Sequence, residues 1–188
     1  HDNHTGQTRD VSRAVFNEIQ PLTQQYDFMQ EYFGRYQYAG TEPGRWYWIL
    51  VYAKASGENM YDFFKKNVQD RPLLNAAALA LGIEVQLWHK AGIAHSDAHL
   101  RNAVIDIKDG DVKKVSLIDY NMLHHPSFKA CQQFGCFSPE RTYKAKRTRY
   151  DEDLENDFDY LGNGFLSSLQ EFCAGDELRT SFMKGYDP

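Results

Sequence analysis

Several features that would indicate a membrane, nucleic-acid-binding or disulfide-rich protein are missing from this sequence. No uninterrupted apolar run approaches the roughly 20 residues that a transmembrane helix needs. The formal net charge of −5 leaves no basic excess for nucleic acid or an anionic membrane. Three cysteines in 188 residues make an odd count, which argues against a disulfide framework and indicates a reducing cytosol. We therefore expect no nucleic acid and no membrane among the partners.

The composition that remains is that of a globular domain. Hydrophobic residues make up 42% of the chain and aromatic residues 14%, which is enough to form a core. The length predicts one domain over residues 1–188. The sequence opens at His1 without an initiator methionine, as expected of a chain that is trimmed or that other residues precede.

Two short polar motifs stand out because an Asp-Gly turn between β-branched runs separates them. The first is the loop from His95 to Asn102, and the second begins at Asp119. The turn at Asp109-Gly110 predicts a β-hairpin over residues 103–118. Such a hairpin would return Asp119 to the loop that carries Asp97 and Asn102.

These three side chains match the needs of phosphoryl transfer from ATP. Asp97 would accept the proton of the acceptor hydroxyl, while Asn102 and Asp119 would hold Mg²⁺ through oxygen atoms. A capping aspartate or an ordinary strand end would explain either motif alone. The two motifs at this spacing, with the hairpin between them, favour phosphoryl transfer.

The rest of the pattern predicts a succession of helices and strands. Apolar spacing and turn residues predict a helix over 9–20 that Pro21 closes, strands over 28–38 and 45–53, a bend at 56–57, a helix over 59–67, a long buried helix over 72–91 and a last helix over 157–173. Residues 120–156 are predicted to be irregular.

The order of these motifs resembles the protein-kinase fold. His95–Asn102 is similar to the catalytic loop, Asp119-Tyr120-Asn121 to the Asp-Phe-Gly motif, Ser138-Pro139-Glu140 to Ala-Pro-Glu, and residues 157–162 to Asp-x-Trp-x-x-Gly. The resemblance implies an α+β, minimal protein-kinase-like bilobal fold. It has a partial small lobe with the hinge at 1–54 and a truncated, mainly helical large lobe at 55–188.

The same resemblance assigns roles to further residues. The cofactors would be ATP and Mg²⁺, and His99 would contact the γ-phosphate where protein kinases carry a lysine. The backbone of Tyr52, Ala53 and Lys54 would bind the adenine edge, and Val104 would form part of its floor. His95 and Asp157 are expected to support the catalytic loop without touching substrate.

Two departures from the family keep alternatives open. Glu18 would pair with a lysine on an earlier strand, yet no Gly-rich loop precedes it and the first lysine is Lys54. These gaps favour a pseudokinase, a binding module without transfer activity. His99 fits the His-x-Asp-x-His pattern of aminoglycoside-type kinases, which favours a small-molecule phosphotransferase.

The predicted function is that of a Ser/Thr-type protein kinase of minimal size. The short large lobe resembles the effector kinases that bacteria inject into host cells by type III secretion. That family implies a virulence function, secretion into the host cytoplasm, and a host protein substrate. The chaperone Hsp90 is the favoured candidate, followed by ubiquitin-loaded conjugating enzymes, and a monomer is expected.

Overall fold

The protein is described here by a computed structural model, which covers residues 18–39, 46–120, 123, 125, 157, 164–172 and 176–187. The elements along these segments are α1 (18–25), β1 (Tyr32–Ala39), β2 (Trp46–Tyr52), β3 (Glu58–Asn59), α2 (Met60–Lys66), α3 (Arg71–Lys90), a 3₁₀ turn (Leu100–Asn102), β4 (Ala103–Lys108), β5 (Asp111–Leu117), α4 (Phe165–Gln170) and α5 (Glu177–Tyr186). The predicted α+β class is confirmed.

Helix α1 runs through Pro21, so the prediction that this proline ends the helix is wrong. Proline has no amide N–H and its ring crowds the carbonyl four residues earlier, but the residues after it can still form helical hydrogen bonds. The amide of Tyr26 still donates to the carbonyl of Leu22, at 2.9 Å. Ile19 and Leu22 are both buried in the core, which favours continuing the helix. Residues 9–17 of the predicted helix lie outside the described residues.

Strands β1 and β2 form an antiparallel hairpin in which Tyr36 pairs with Ile49. The first strand begins at Tyr32, four positions later than predicted. Residues 26–29 form a turn instead, in which the Met29 amide donates to the Tyr26 carbonyl at 3.2 Å. The turn matters because it leads to Gln30, whose side chain donates to the Leu117 carbonyl, and to Glu31, whose carbonyl accepts from Ala53 at the end of β2.

Helix α3 lies at the centre of the core, as its nearly continuous apolar sequence predicts. Its N-terminus is capped by Asp70, whose carboxylate accepts from the Leu73 amide, and Pro72 occupies the first turn. The predicted face is buried throughout and consists of Leu74, Ala77, Ala78, Leu81, Val85 and Trp88.

The predicted single helix over 157–173 is wrong. Gly164 has an extended backbone, with φ −88° and ψ −175°, and α4 begins only after it. A glycine in a helix interior loses backbone entropy and contributes no packing, so this position favours a break. Residues 158–163 lie outside the described segments.

Helix α5 is an element that the sequence reading missed. It packs against α3 at two glycines, since a Cβ at Gly82 would lie 2.0 Å from the Phe182 carbonyl oxygen. A Cβ at Gly185 would lie 2.1 Å from the carbonyl oxygen of Leu79. The backbones of α3 and α5 therefore lie so close together at these two positions that only glycine, which has no Cβ, fits.

The predicted hairpin over 103–118 is confirmed as β4 and β5, in which Ala103 pairs with Leu117. Asp109 and Gly110 both have positive φ, 57° and 84°, as a tight two-residue turn requires. The short strand β3 adds a third strand on the other side of β4. Along the described ranges, the helices are too short or too polar to cross a membrane.

Candidate active site

The loop from His95 to Asn102 and the far end of the hairpin meet at Ile118. Its amide donates to the carbonyl of Asn102 at 2.9 Å. Its carbonyl accepts from Nε2 of His95 at 2.8 Å, so this nitrogen carries the proton. Because both backbone groups of Ile118 are bonded to the loop, the next residue, Asp119, lies beside that loop. This position agrees with the prediction that the hairpin returns Asp119 to the loop.

The side chain of Asn102 is bonded to Asp97, another of the predicted site residues. Its side-chain Nδ2 donates to the backbone carbonyl of Asp97 at 3.0 Å and to the carboxylate Oδ2 of Asp97 at 2.9 Å. Asn102 is buried, whereas the Asp97 side chain is 42% exposed. The inner carboxylate oxygen of Asp97, Oδ2, is thus fixed by Asn102. The outer oxygen, Oδ1, belongs to the exposed side of this carboxylate. Because the amide nitrogen of Asn102 is used, its oxygen is the atom that remains for a cation.

His99 lies on the outer side of the Asp97 carboxylate. Its Nε2 is 3.6 Å from Oδ1 of Asp97, longer than a hydrogen bond, and its side chain is 34% exposed. Its other nitrogen, Nδ1, is buried and has no hydrogen-bond partner among the residues that the structure describes. The imidazole therefore stands beside the oxygen that would accept the substrate proton.

A buried carboxylate, Asp157, holds the backbone of the loop. Its Oδ2 accepts from the His95 amide at 2.6 Å, and its Oδ1 accepts from the Ser96 amide at 2.7 Å. Ser96 has φ +62°, a conformation that non-glycine residues adopt only when neighbours impose it. The predicted bonds of Asp157 to the loop backbone are present, and His95 joins the loop to Ile118. That neither residue touches substrate stays a prediction.

A second layer behind Asp157 was not predicted from the sequence. Nε2 of His89 lies 3.0 Å from Oδ2 of Asp157, and Nδ1 of the same ring lies 2.9 Å from the hydroxyl of Tyr186 on α5. Tyr186 stands 97 positions from His89. No spacing rule connects residues so far apart, so the sequence carries no signal for this pair.

Asp119 stands in a left-handed backbone conformation, with φ +65°, and is exposed. The next side chain, Tyr120, is buried, and its ring packs against Trp88 and Tyr52 at centroid distances of 5.3 Å and 5.2 Å. Its hydroxyl accepts from the amide of Gln30 at 2.8 Å. Burial raises the pKa of Tyr120 well above its ordinary value, so this hydroxyl stays protonated.

Trp88 is itself held by a buried acid. Its Nε1 donates to Oε1 of Glu84 at 3.1 Å. Burial raises the pKa of Glu84 from 4.5 to about 7, against the opposing effects of this hydrogen bond, the Lys114 charge and the Leu117 amide. Since the Trp88 ring also lies 5.6 Å from the His95 ring, Glu84 supports the loop through Trp88.

The predicted adenine site lies at the end of β2. The amide of Ala53 already donates to the Glu31 carbonyl at 2.8 Å, so it is not available to a nucleotide unless that bond breaks. The hydroxyl of Tyr52 is buried and finds no hydrogen-bond partner within the described segments, and burial raises its pKa strongly. Lys54 is exposed. The adenine contacts of residues 52–54 stay a prediction.

Two further predicted residues lie near this region. Val104 is half-buried and pairs with Asn59 on one side and Ser116 on the other. Glu18 is half-buried and is the first residue that the structure describes. The contacts of Val104 with adenine and of Glu18 with a lysine stay predictions.

The donor set around Asp97 suits an oxygen-binding cation. Within the described part of the chain, no group of three or more His, Cys, Asp or Glu side chains is placed to hold a metal ion. A cation at this site would be bound by the amide oxygen of Asn102, the carboxylate of Asp119, and oxygen atoms from phosphate and water. Mg²⁺ prefers such a mixed oxygen shell, so the residues fit it.

Comparison with known proteins gives a fold and no sequence family. Neither the models of protein families nor the curated proteins contain a match to this chain. Among solved structures, 70 chains match. The architecture is that of a minimal kinase-like α+β protein, and this prediction is confirmed.

One of the matching structures is WaaP, a kinase-like enzyme, solved in complex with acyl carrier protein. The TM-score is 0.54 at 16% sequence identity, and the match covers 90% of this chain and 64% of the WaaP chain. This chain therefore spans somewhat under two thirds of the length of WaaP. At this identity the likeness establishes the fold alone.

Proposed function

We propose that this chain is an ATP- and Mg²⁺-dependent phosphotransferase whose acceptor is a protein hydroxyl. One observation carries the proposal. Asn102 binds Asp97 through its side chain and Ile118, the residue before Asp119, through its carbonyl, which supports Asp97 as the base and Asn102 and Asp119 as the oxygen ligands. The kinase-like fold of a matching structure supports the same chemistry.

Each side chain has a separate task in this proposal. The outer oxygen of Asp97 accepts the proton of the acceptor hydroxyl, while Asn102 fixes the inner oxygen and so orients the carboxylate. Asn102 and Asp119 hold the cation through oxygen atoms. ATP would supply the phosphoryl group by breaking its bond to ADP, and Mg²⁺ would neutralise the negative charge of the phosphates. His99 contacts the γ-phosphate in the place where protein kinases carry a lysine.

The finer identity of the acceptor rests on the family resemblance. We propose a Ser/Thr hydroxyl of a host protein, with the chaperone Hsp90 as the first candidate, and a monomeric type III effector that acts in the host cytoplasm. The single domain over 1–188 and the two-lobed division at residue 54 belong to the same proposal. The motif Ser138-Pro139-Glu140, on which the protein-kinase assignment partly depends, lies outside the described residues.

A small-molecule phosphotransferase is the second candidate. The position of His99 next to Asp97 favours it, because the sequence pattern around these residues is that of aminoglycoside-type kinases. The pseudokinase alternative remains the outcome in which no acceptor is phosphorylated. Asp97, Asn102 and Asp119 together argue against it, since a scaffold has no need of all three.

The test is transfer of the labelled γ-phosphate of ATP, with Mg²⁺, to three acceptors: a eukaryotic cytosolic extract, purified Hsp90, and an aminoglycoside. We expect a labelled protein band that Asp97→Asn abolishes. The matched control is Asp111→Asn, which removes an exposed hairpin carboxylate 3.6 Å from Lys113 and should change nothing. Label on the aminoglycoside alone would establish the second candidate, and label on nothing would contradict both.

A further inference from the structure

One residue outside the loop, Gln30, holds both ends of the segment that carries Asp119. The backbone amide of Gln30 donates to the Tyr120 hydroxyl at 2.8 Å, and the side-chain Nε2 of Gln30 donates to the Leu117 carbonyl at 3.1 Å. Leu117 and Tyr120 flank Ile118 and Asp119 on either side. One residue from the connection between α1 and β1 therefore contacts this four-residue segment twice.

The segment needs such support because its conformation is unfavourable. Asp119 has φ +65°, which places Cβ close to the carbonyl oxygen in a residue other than glycine. The two bonds of Ile118 to the catalytic loop fix the chain before Asp119. The Tyr120 hydroxyl fixes the chain after it, and the buried Tyr120 ring prevents the segment from rotating outward.

The same connection also reaches the end of β2. The residue after Gln30 is Glu31, whose carbonyl accepts from the Ala53 amide at 2.8 Å. Two consecutive residues thus join the Asp119 segment to the strand end at which adenine is predicted to bind. A phenylalanine at position 120 would keep the ring contacts with Trp88 and Tyr52 but could not accept from Gln30.

We propose that Tyr120 and Gln30 are positioning residues that fix the carboxylate of Asp119 for the cation. That the Asp119 carboxylate binds Mg²⁺ rests on the proposed function. The restraint on the backbone of residues 117–120 does not depend on it. Neither residue touches substrate in this proposal, so their loss weakens cation binding by freeing Asp119 rather than by removing a ligand.

The test uses Tyr120→Phe with two readouts. The first is hydrogen exchange of individual backbone amides, measured by NMR without ligand. Exchange at Gln30 should accelerate at least about tenfold, and the Ile118 amide should follow. The second is the Mg²⁺ concentration that half-saturates ATP binding, which should rise about fivefold or more. Tyr36→Phe, on the exposed face of β1, is the control and should change neither.

A second variant keeps the test decisive if Tyr120→Phe folds poorly. Gln30→Ala removes the Leu117 contact, retains the backbone amide, and should shift both readouts in the same direction by a smaller factor. Faster amide exchange at residues 118–120 with an unchanged Mg²⁺ requirement for ATP binding would overturn the positioning function. Unchanged amide exchange at residues 118–120 would overturn it as well. If the wild-type chain binds no Mg²⁺·ATP, the proposed function fails. In that case the exchange rates at 118–120 alone support or overturn the restraint.

Discussion

The buried acid Glu84 makes the free energy of unfolding depend on pH in a direction opposite to that of most carboxylates. Its side chain is 6% exposed, accepts from Trp88, and has a pKa raised by burial from 4.5 to about 7. The folded state therefore binds this proton more tightly than the unfolded state does. The contribution of Glu84 to stability is complete below about pH 4.5 and is lost as the pH rises through about 7.

The size of the effect follows from the shift. A rise from 4.5 to about 7 corresponds to about 3 kcal/mol, at about 1.4 kcal/mol per pKa unit. The replacement Glu84→Gln is nearly isosteric with the protonated acid and retains an oxygen for the Trp88 N–H. We expect the variant to match the wild type near pH 4.5 and to exceed its stability by about 1–3 kcal/mol at pH 8.

The assay is urea-induced unfolding of both proteins at several pH values between 4.5 and 8.5. The quantity of interest is the difference in unfolding free energy, which should grow with pH and level off above about 7. Glu171→Gln, at an exposed position after α4, is the control and should show little such trend. The reasoning would be refuted if the difference in unfolding free energy were constant across this range. It would also be refuted if the wild type became more stable relative to the variant as the pH rises.

Three further outcomes are expected. Gly185→Ala should destabilise the protein by about 1–3 kcal/mol in thermal unfolding, because its Cβ would overlap the Leu79 carbonyl; unchanged stability would contradict the close packing of α3 and α5. Asp157→Asn should lower transfer activity at least about tenfold, since one carboxylate oxygen that accepts from the loop amides becomes a donor; wild-type kinetics would refute its supporting function. His99→Ala should lower kcat about 10- to 100-fold, and an unchanged kcat would assign His99 to an ordinary loop position.

The sequence was sufficient where structure depends on local pattern. The Asp109-Gly110 turn between β-branched runs predicted the hairpin, because few residues other than glycine and its polar substitutes adopt positive φ. The hairpin in turn predicted that Asp119 lies beside the loop from His95 to Asn102. The buried face of α3 followed from helical periodicity in the same way.

The parts that the sequence did not predict depend on distant contacts. Gln30 and Tyr120 are 90 positions apart in the sequence. The donor of their hydrogen bond is the backbone amide of Gln30, which every residue except proline has, so no residue type indicates the bond. Helix α5 is stabilised by its fit to α3 at Gly82 and Gly185, which is a property of two surfaces together. The break at Gly164 was missed because the apolar residues on either side of it keep a helical spacing.

The most direct test of the central claim separates ATP binding from phosphate transfer at the two carboxylates. We would measure Mg²⁺-dependent ATP binding by calorimetry and labelled phosphate transfer in cytosolic extract, for the wild type, Asp119→Asn and Asp97→Asn. The account predicts that Asp119→Asn loses the Mg²⁺ dependence of binding together with transfer. It predicts that Asp97→Asn still binds Mg²⁺·ATP but no longer transfers phosphate. Full transfer by either variant, or a wild type that neither binds nor transfers, would contradict it.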